Sequence, residues 1–207
     1  MPSPVKPRST YRQEQAQATR DRIAEAARRL FATRGYGATS METIAEEAGV
    51  AVRTIYAAFG AKREILSLIC ERWLEEAHAR ELAGEVFGEP DPVKRLRGAA
   101  HWLRKLYAAG FDVVLIFEAA MDETPETRAL LRAKLAGRNE VMDAMIASLA
   151  QHLTIPVPQA QAMYRALAAP GVYQELVDES GWTPDDFERW VGDTLERNLM
   201  AGPPTSS

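Results

Sequence analysis

The feature that most constrains this chain is a pair of short helical patterns separated by a glycine, within residues 39–62. Ser40 stands where a helix N-cap is expected, directly before an apolar periodicity that continues to Ala48. Gly49 tolerates the left-handed backbone that ends a helix. A second helix is predicted over about 52–58, before Gly60. Two short helices joined by a glycine-containing turn form a helix-turn-helix.

The spacing within this segment supports the same interpretation. Ala45 is small enough for two helices to cross closely, and Gly49 follows at the turn. Ile55 is placed to pack the second helix onto the first, with Val50 filling the space beneath the turn. A helix held in this way fits the major groove of DNA, where every base pair has a distinct edge pattern. The residues predicted to point outward from it are Ala51, Val52, Arg53, Thr54 and Ala57.

The rest of the chain is also divided into helices by proline and glycine, and no alternating apolar–polar run predicts a strand. The sequence therefore predicts an all-α fold. Further helices are expected over about 13–34, 62–83, 92–107, 111–121, 125–152, 159–168 and 170–179, with a last one starting near Thr183 and an interruption at Gly110.

The charge distribution is uneven, although the net charge is only −4. Residues 1–63 carry a net +5 and residues 64–207 a net −9. A basic amino-terminal third suggests that this end meets a polyanion, while chance variation between segments is the alternative.

Several other classes of protein are disfavoured. His78, His101 and His152 lack metal-ligand spacing to one another or to Cys70, and no phosphate-binding or nucleophile motif is present. We therefore expect no enzyme, metal or cofactor. The single cysteine excludes an internal disulfide; we interpret it as an inert core thiol, with a redox sensor as the alternative. Neither a secretion signal nor the roughly 20 apolar residues of a membrane span is found, so a cytoplasmic location is expected.

Residues 20–66 resemble the tetracycline-repressor (TetR) family of bacterial regulators. The resemblance is carried by LFATRGYGATS, ETIAEEAGV and TIYAAFGAKREIL, and more weakly by VYQELVDESGWTPDDFERWVGDTLERNL near the carboxyl end. Two departures are Thr43, where the family often has an acid, and Gly60-Ala61, where Pro-Ser is common.

This resemblance implies an organisation and a function. A helix-turn-helix DNA-binding domain is expected over 12–61 and a regulatory, ligand-binding and dimerisation domain over 62–201. A flexible arm would precede them at 1–11 and a flexible tail would follow at 202–207. The implied function is a repressor that binds a palindromic DNA operator as a homodimer and is released by a small hydrophobic or aromatic inducer. The alternatives are a helical ligand-binding or protein-interaction module with a vestigial head, and an activator with the same fold.

The resemblance also assigns DNA contacts. Thr39, Ser40, Tyr56 and Lys62 would contact phosphates, although Tyr56 fits a core aromatic and Lys62 a solvated surface charge. We expect Arg53 to read guanine, or else to bind phosphate. Thr54 would touch base or phosphate or fill space, and the remaining outward residues would contact thymine methyls. Lys6, Arg8 and Arg12 fit a solvated arm or a minor-groove contact.

Two further sets of residues are candidates in the larger domain, and plain intrachain core is the alternative for both. The candidates for lining the inducer pocket are His101, Trp102, Tyr107, Phe111, Phe117, Met121, Met142, Met145 and Tyr164. The candidates for the dimer interface are Tyr173, Leu176, Trp182, Phe187, Trp190 and Leu195.

Overall fold

The computed structural model describes residues 8–200, and side chains from residue 11 onward. Over these residues the chain is helical, with one isolated bridge between Leu153 and Met200 and no strand, so the predicted all-α fold is confirmed. Lys6 and the predicted tail at 202–207 lie outside the described residues. The helices are α1 Arg8–Arg34, α2 Met41–Ala48, α3 Val52–Phe59, α4 Lys62–Glu76, α5 Ala79–Gly88, α6 Pro92–Ala120, α7 Pro125–Ala147, α8 Val157–Leu167, α9 Pro170–Tyr173 and α10 Pro184–Leu199.

The predicted single helix over 62–83 is wrong, because the chain forms two helices there. Between α4 and α5, His78 has φ 50° and ψ 36°, in the left-handed region that interrupts a helix. Histidine enters this region more readily than most residues other than glycine. Because neither glycine nor proline marks the break, the apolar periodicity runs through it without a visible signal.

The other helix boundaries lie close to the predicted ones. α1 begins at Arg8, so part of the expected arm is helical. Gly110 has a non-helical backbone inside α6, which confirms the predicted interruption as a kink in one long helix. α7 ends earlier than expected and is followed by a short 3₁₀ turn over Ala150–His152. α9 continues into a π-helical segment over Gln174–Glu179.

The chain divides into two compact units. The first comprises Met1–Glu71 and Ile116–Arg128, and the second comprises Arg72–Leu115 and Ala129–Ser207. The predicted DNA-binding domain at 12–61 lies wholly within the first unit. Helices α4, α6 and α7 each contribute residues to both units.

Each unit has its own apolar core. In the first unit, α1, α2 and α3 bury side chains that include Ile23, Phe31, Ile44 and Ile55. In the second unit, the core includes Leu96, Leu103, Leu106, Leu131, Met142, Ile146, Tyr164, Phe187, Val191 and Leu195. Burial of such side chains contributes roughly 1.5–3 kcal/mol each to folding.

Candidate nucleic-acid interface

The turn between α2 and α3 has the geometry that its sequence predicts. The Ser40 side chain caps α2 by accepting a hydrogen bond from the Thr43 backbone N–H at 3.1 Å. Gly49 has φ 64° and ψ 39°, the left-handed conformation that ends α2. The N–H of Val50 then donates to the carbonyl of Ala45 at 3.0 Å, which closes the turn. These contacts fix the direction in which α3 leaves α2.

Helix α3 has one buried face and one exposed face. Ile55 is fully buried and Phe59 is 7% exposed, and these two side chains hold the helix on the core of the first unit. On the opposite face Val52 is 38% exposed, although it is a large apolar side chain. Ala51, Arg53 and Ala57 are also exposed, and Thr54 is half-buried. The predicted outward face of α3 is therefore at the surface, except that Thr54 is only partly accessible.

Arg53 makes no hydrogen bond or ion pair with any residue of the described chain. Its guanidinium is thus available to a ligand in the solvent. Arginine with this freedom commonly donates to O6 and N7 of guanine.

Tyr56 lies on the same exposed surface, with 48% of its area accessible. The alternative interpretation of Tyr56 as a core aromatic is therefore wrong. A phenol at this position offers a hydroxyl that can donate to a phosphate oxygen.

Thr39 is the clearest correction among the predicted DNA contacts. It is 1% exposed, and its hydroxyl donates to the carbonyl of Gly35 at 2.8 Å. The buried side chain is thus used to stabilise the loop between α1 and α2, and the prediction that it contacts phosphate is wrong. Ser40, the next residue, is exposed, and its hydroxyl is the cap of α2.

Lys62 is not the solvated surface charge that formed the alternative to a phosphate contact. Its ammonium donates to the carbonyls of Tyr36 at 2.6 Å and Thr39 at 2.9 Å, and it lies 4.2 Å from the centre of the Tyr36 ring. Burial lowers the pKa of Lys62, and the negative charge of Glu123 opposes that effect. Contact with phosphate stays a prediction, and it would use the remaining N–H of the ammonium.

A contact that sequence reasoning missed holds the carboxyl end of α3. The Arg20 guanidinium lies over the Phe59 ring, 4.2 Å from its centre, and donates to the carbonyl of Ala58. Arg20 belongs to α1, far from α3 in sequence, and no local pattern signals the pairing. The contact ties α1 to the end of the exposed helix.

The side chains predicted to line an inducer pocket are mostly buried core. Trp102, Tyr107, Met142, Met145 and Tyr164 are each at most 3% exposed in the second unit. Half-buried His101 and Phe111 belong to the same unit, whereas Phe117 and Met121 belong to the first.

The polar groups of this set already have internal partners. The Trp102 indole N–H donates to the carbonyl of Ala79 at 2.8 Å. The hydroxyls of Tyr107 and Tyr164 donate to the carbonyls of Ala168 and Ala99. His101 Nδ1 lies 3.0 Å from the carboxylate of Glu188. A described cleft of about 260 Å³ in this unit is lined by none of the predicted residues, but by Arg97, Asp185, Glu188, Arg189 and Gly192.

Half of the predicted dimer contacts are also wrong. Tyr173, Phe187 and Leu195 are 0–3% exposed within the second unit. Tyr173 and Phe187 stack edge-to-face, with ring centres 4.9 Å apart, which places both in the intrachain core. Leu176, Trp182 and Trp190 are half-buried and stay candidates. The rings of Trp182 and Trp190 contact each other edge-to-face at 6.2 Å.

Residues 23–69 match the family model described as bacterial regulatory proteins, tetR family. This match covers the helix-turn-helix, the second part of α1 and the first part of α4. Over this segment the chain is similar to the bacterial regulatory proteins of the tetR family.

Individual relatives agree with this assignment. The HTH-type transcriptional regulator TtgR of Pseudomonas putida is 38% identical over 84 residues, which are 41% of this chain and 40% of TtgR. HbdR of Aromatoleum sp. is 30% identical over 128 residues, which are 61% of this chain and 56% of HbdR. The chain thus spans about half the length of the curated relatives it matches.

A solved structure shares the fold over most of the chain. NalD, described as the secondary repressor of the MexAB-OprM multidrug efflux pump in Pseudomonas aeruginosa, superposes with a TM-score of 0.72 at 20% identity. The superposition covers 92% of this chain and all of the NalD chain.

None of the helices in 8–200 combines the length and apolar character needed to cross a membrane. Over the same residues, no group of three or more histidine, cysteine or carboxylate side chains is placed to hold a metal ion.

Proposed function

We propose that this chain is a homodimeric repressor that binds a palindromic operator through α3 and leaves it when a small hydrophobic or aromatic molecule binds. The observation that carries the proposal is the outer face of α3, where Val52 and Tyr56 are exposed and Arg53 has no partner within the described chain. The buried Ile55 and Phe59 hold this face rigidly outward. Large side chains presented without an internal role are suited to an external ligand.

The chemistry of this face favours double-stranded DNA. Arg53 supplies one strong donor pair for guanine, while Ala51, Val52 and Ala57 offer small apolar surfaces for thymine methyl groups. Ser40 and Tyr56 lie at positions from which hydroxyls can reach phosphate, and phosphate contacts fix the register of a helix in the groove.

A single helix of this size reads only a few base pairs, which favours a dimer that reads two half-sites. In helix-turn-helix dimers the recognition helices lie one DNA turn apart, at about 34–36 Å. Leu176, Trp182 and Trp190 are half-buried in this chain, and we propose that a second copy covers them.

The core of the second unit is the candidate ligand site. Because the hydroxyls of Tyr107 and Tyr164 already donate to backbone carbonyls, a ligand would enter by separating the helices that carry them. A ligand that binds better to the opened state than to the DNA-bound state shifts the population between them. Coupling of about 1–3 kcal/mol between the two sites is typical of such regulators.

Selection from random duplex DNA tests the proposal. The full chain is incubated with the pool, and bound duplexes are recovered and sequenced over several rounds. We expect an inverted repeat with half-site centres one helical turn apart. The control is Arg53→Glu, which reverses the charge on the exposed face and leaves the buried residues intact, and its pool should stay unenriched.

Two results would overturn the proposal. Failure of the wild-type chain to enrich any sequence would favour the ligand-binding or protein-interaction module with a vestigial head. A strictly monomeric chain in sedimentation equilibrium would exclude the palindromic mode. With an operator in hand, a screen for compounds that release it identifies the inducer, and a reporter gene distinguishes repression from activation.

A further inference from the structure

The connection between α6 and α7 lies in the same compact unit as the helix-turn-helix, although it is about 60 residues further along the chain. Its local structure is well fixed. The hydroxyl of Thr124 accepts from the backbone N–H of Thr127 at 3.1 Å, and Arg128 Nε donates to the carbonyl of Met121 at 3.0 Å. Thr127 is 3% exposed. The connection is thus a folded part of the first unit.

Glu123, in this connection, approaches the loop between α1 and α2 very closely. A Cβ atom added to Gly37 would lie 2.2 Å from Oε1 of Glu123. The carboxylate therefore occupies the space in which any other residue at position 37 would place its side chain. A side chain at position 37 would therefore displace the flexible end of Glu123.

The same carboxylate acts on two groups of the amino-terminal helices. The pKa of Tyr36 is raised, mainly by burial and also by the charge of Glu123. A hydrogen bond with Thr127 and the charge of Arg63 act in the opposite direction. For Lys62, burial lowers the pKa and Glu123 raises it. Glu123 thus favours the charged form of Lys62, which burial opposes.

Lys62 in turn connects the two loops that flank the helix-turn-helix. It is the first residue of α4, directly after the turn that ends α3, and its ammonium donates to carbonyls of Tyr36 and Thr39. Thr39 immediately precedes Ser40, the N-cap of α2. The ammonium therefore fixes the start of α2 relative to the end of α3.

We propose that Glu123 is a positioning residue for DNA binding, whose carboxylate keeps the Lys62 ammonium on the carbonyls of Tyr36 and Thr39 and so links the α6–α7 connection to the helix-turn-helix. This inference rests on the proposed function. The connection that carries Glu123 joins α6 to α7 and belongs to the same unit as α2 and α3.

Two variants and a matched control test the link. Glu123→Gln removes the charge with almost no change in shape. Gly37→Ala leaves the charge and displaces the carboxylate, whose flexible end can move away from the added methyl. Asp122→Asn is the control, because it removes a neighbouring carboxylate whose side chain is 94% exposed and whose ion pair is with Arg128.

The affinity for the selected operator duplex is measured by fluorescence anisotropy between pH 7 and pH 10. We expect Glu123→Gln and Gly37→Ala to weaken binding by about three- to thirty-fold, the range found for coupled positions, and Asp122→Asn to bind as the wild type does. Since Glu123 raises the pKa of Lys62, the affinity of Glu123→Gln should also decline at a lower pH than that of the wild type.

A double-mutant cycle separates this link from a general loss of structure. In a Lys62→Met background, Glu123→Gln should have no further effect, because the group on which it acts has been removed. Additive effects in the cycle, or a Glu123→Gln affinity and pH profile equal to those of Asp122→Asn, would overturn the positioning role while the proposed function stands. A wild-type chain that binds no operator would overturn both.

Discussion

Helices α3 and α10 are both amphipathic, but they use their outward side chains differently. On α3, Arg53 has no hydrogen-bond or ion-pair partner within the described chain, and Tyr56 is 48% exposed. On α10, Glu188 pairs with His101 at 3.0 Å, and Asp193 pairs with Arg97 at 2.9 Å. These polar groups of α10 are thus paired within the second unit, whereas Arg53 of α3 is available to another molecule.

The apolar side chains show the same contrast. Phe187 of α10 is fully buried and lies within 6.5 Å of the rings of Tyr107, Tyr173 and Trp190. Val52 of α3 is 38% exposed, although it is a large apolar side chain. Residue type alone does not distinguish a core from an interface. The two differ in whether the side chain is buried by the chain itself or stays accessible to another molecule.

Phe187→Ala should give the largest effect, because it opens a cavity in the aromatic core of the second unit. The expected loss in the free energy of unfolding is about 3–5 kcal/mol. Tyr56→Ala is the comparison in the first unit, and it should change stability by no more than about 0.5 kcal/mol while weakening operator binding. Urea unfolding monitored by circular dichroism measures the first quantity. Similar destabilisation by Phe187→Ala and Tyr56→Ala would contradict the difference between α10 and α3.

Arg53→Ala should have the next largest effect, on binding instead of folding. If Arg53 reads a guanine, its removal should cost about 1–3 kcal/mol of operator affinity and relax the preference at one base pair. Affinities for the operator and for single-base variants of it measure this loss. Arg132→Ala, at an exposed position of α7, is the matched control and should bind as the wild type does. Equal loss of specific and non-specific affinity would refute base reading by Arg53.

The contrast also explains which parts of the molecule could be predicted from the sequence. The turn was predictable because Ser40, Gly49 and Ile55 act locally, within a few residues of the structure they determine. Helical spacing likewise identified the apolar faces of the later helices. It did not say what covers them, and for this reason Tyr173 and Phe187 were assigned to a dimer interface although the chain buries them itself.

The remaining differences come from contacts between residues far apart in sequence. The Thr39 hydroxyl and the Lys62 ammonium both donate to carbonyls of the α1–α2 loop, and neither contact has a local sequence signal. The approach of Glu123 to Gly37 joins residues separated by more than 80 positions and has no local signature. His78 breaks a helix without the glycine or proline that would signal it. None of these contacts follows from periodicity.

The buried tyrosines make the stability of the fold depend on pH in the alkaline range. Burial raises the pKa of Tyr36, Tyr164 and Tyr173 above the ordinary value of 10.0. Above pH 10 the unfolded chain therefore binds fewer protons than the folded chain, and stability falls as the pH rises. Thermal unfolding between pH 8 and pH 11 measures this decline.

Tyr164→Phe identifies the largest contributor to that decline. At neutral pH it should cost about 1–2 kcal/mol, since the carbonyl of Ala99 loses its donor. Its stability should then decline less steeply above pH 10 than that of the wild type, because one titrating group has been removed. Tyr56→Phe, at the exposed surface of α3, is the control for neutral stability and should match the wild type there. An unchanged alkaline slope in Tyr164→Phe would contradict the role assigned to its burial.

The smallest expected effects come from the helix caps, one in each unit. Ser40 caps α2 through the N–H of Thr43, and Thr183 caps α10 through the N–H of Asp186, both at 3.1 Å. Loss of either side chain in Ser40→Ala or Thr183→Ala should lower stability by about 1 kcal/mol. Only Ser40→Ala should also weaken operator binding, because α2 sets the direction of α3 and the hydroxyl of Ser40 is itself exposed. Parallel urea and anisotropy titrations compare the two quantities. Equal loss of operator affinity in both variants would mean that binding follows overall stability, and that the exposed face of α3 has no separate role.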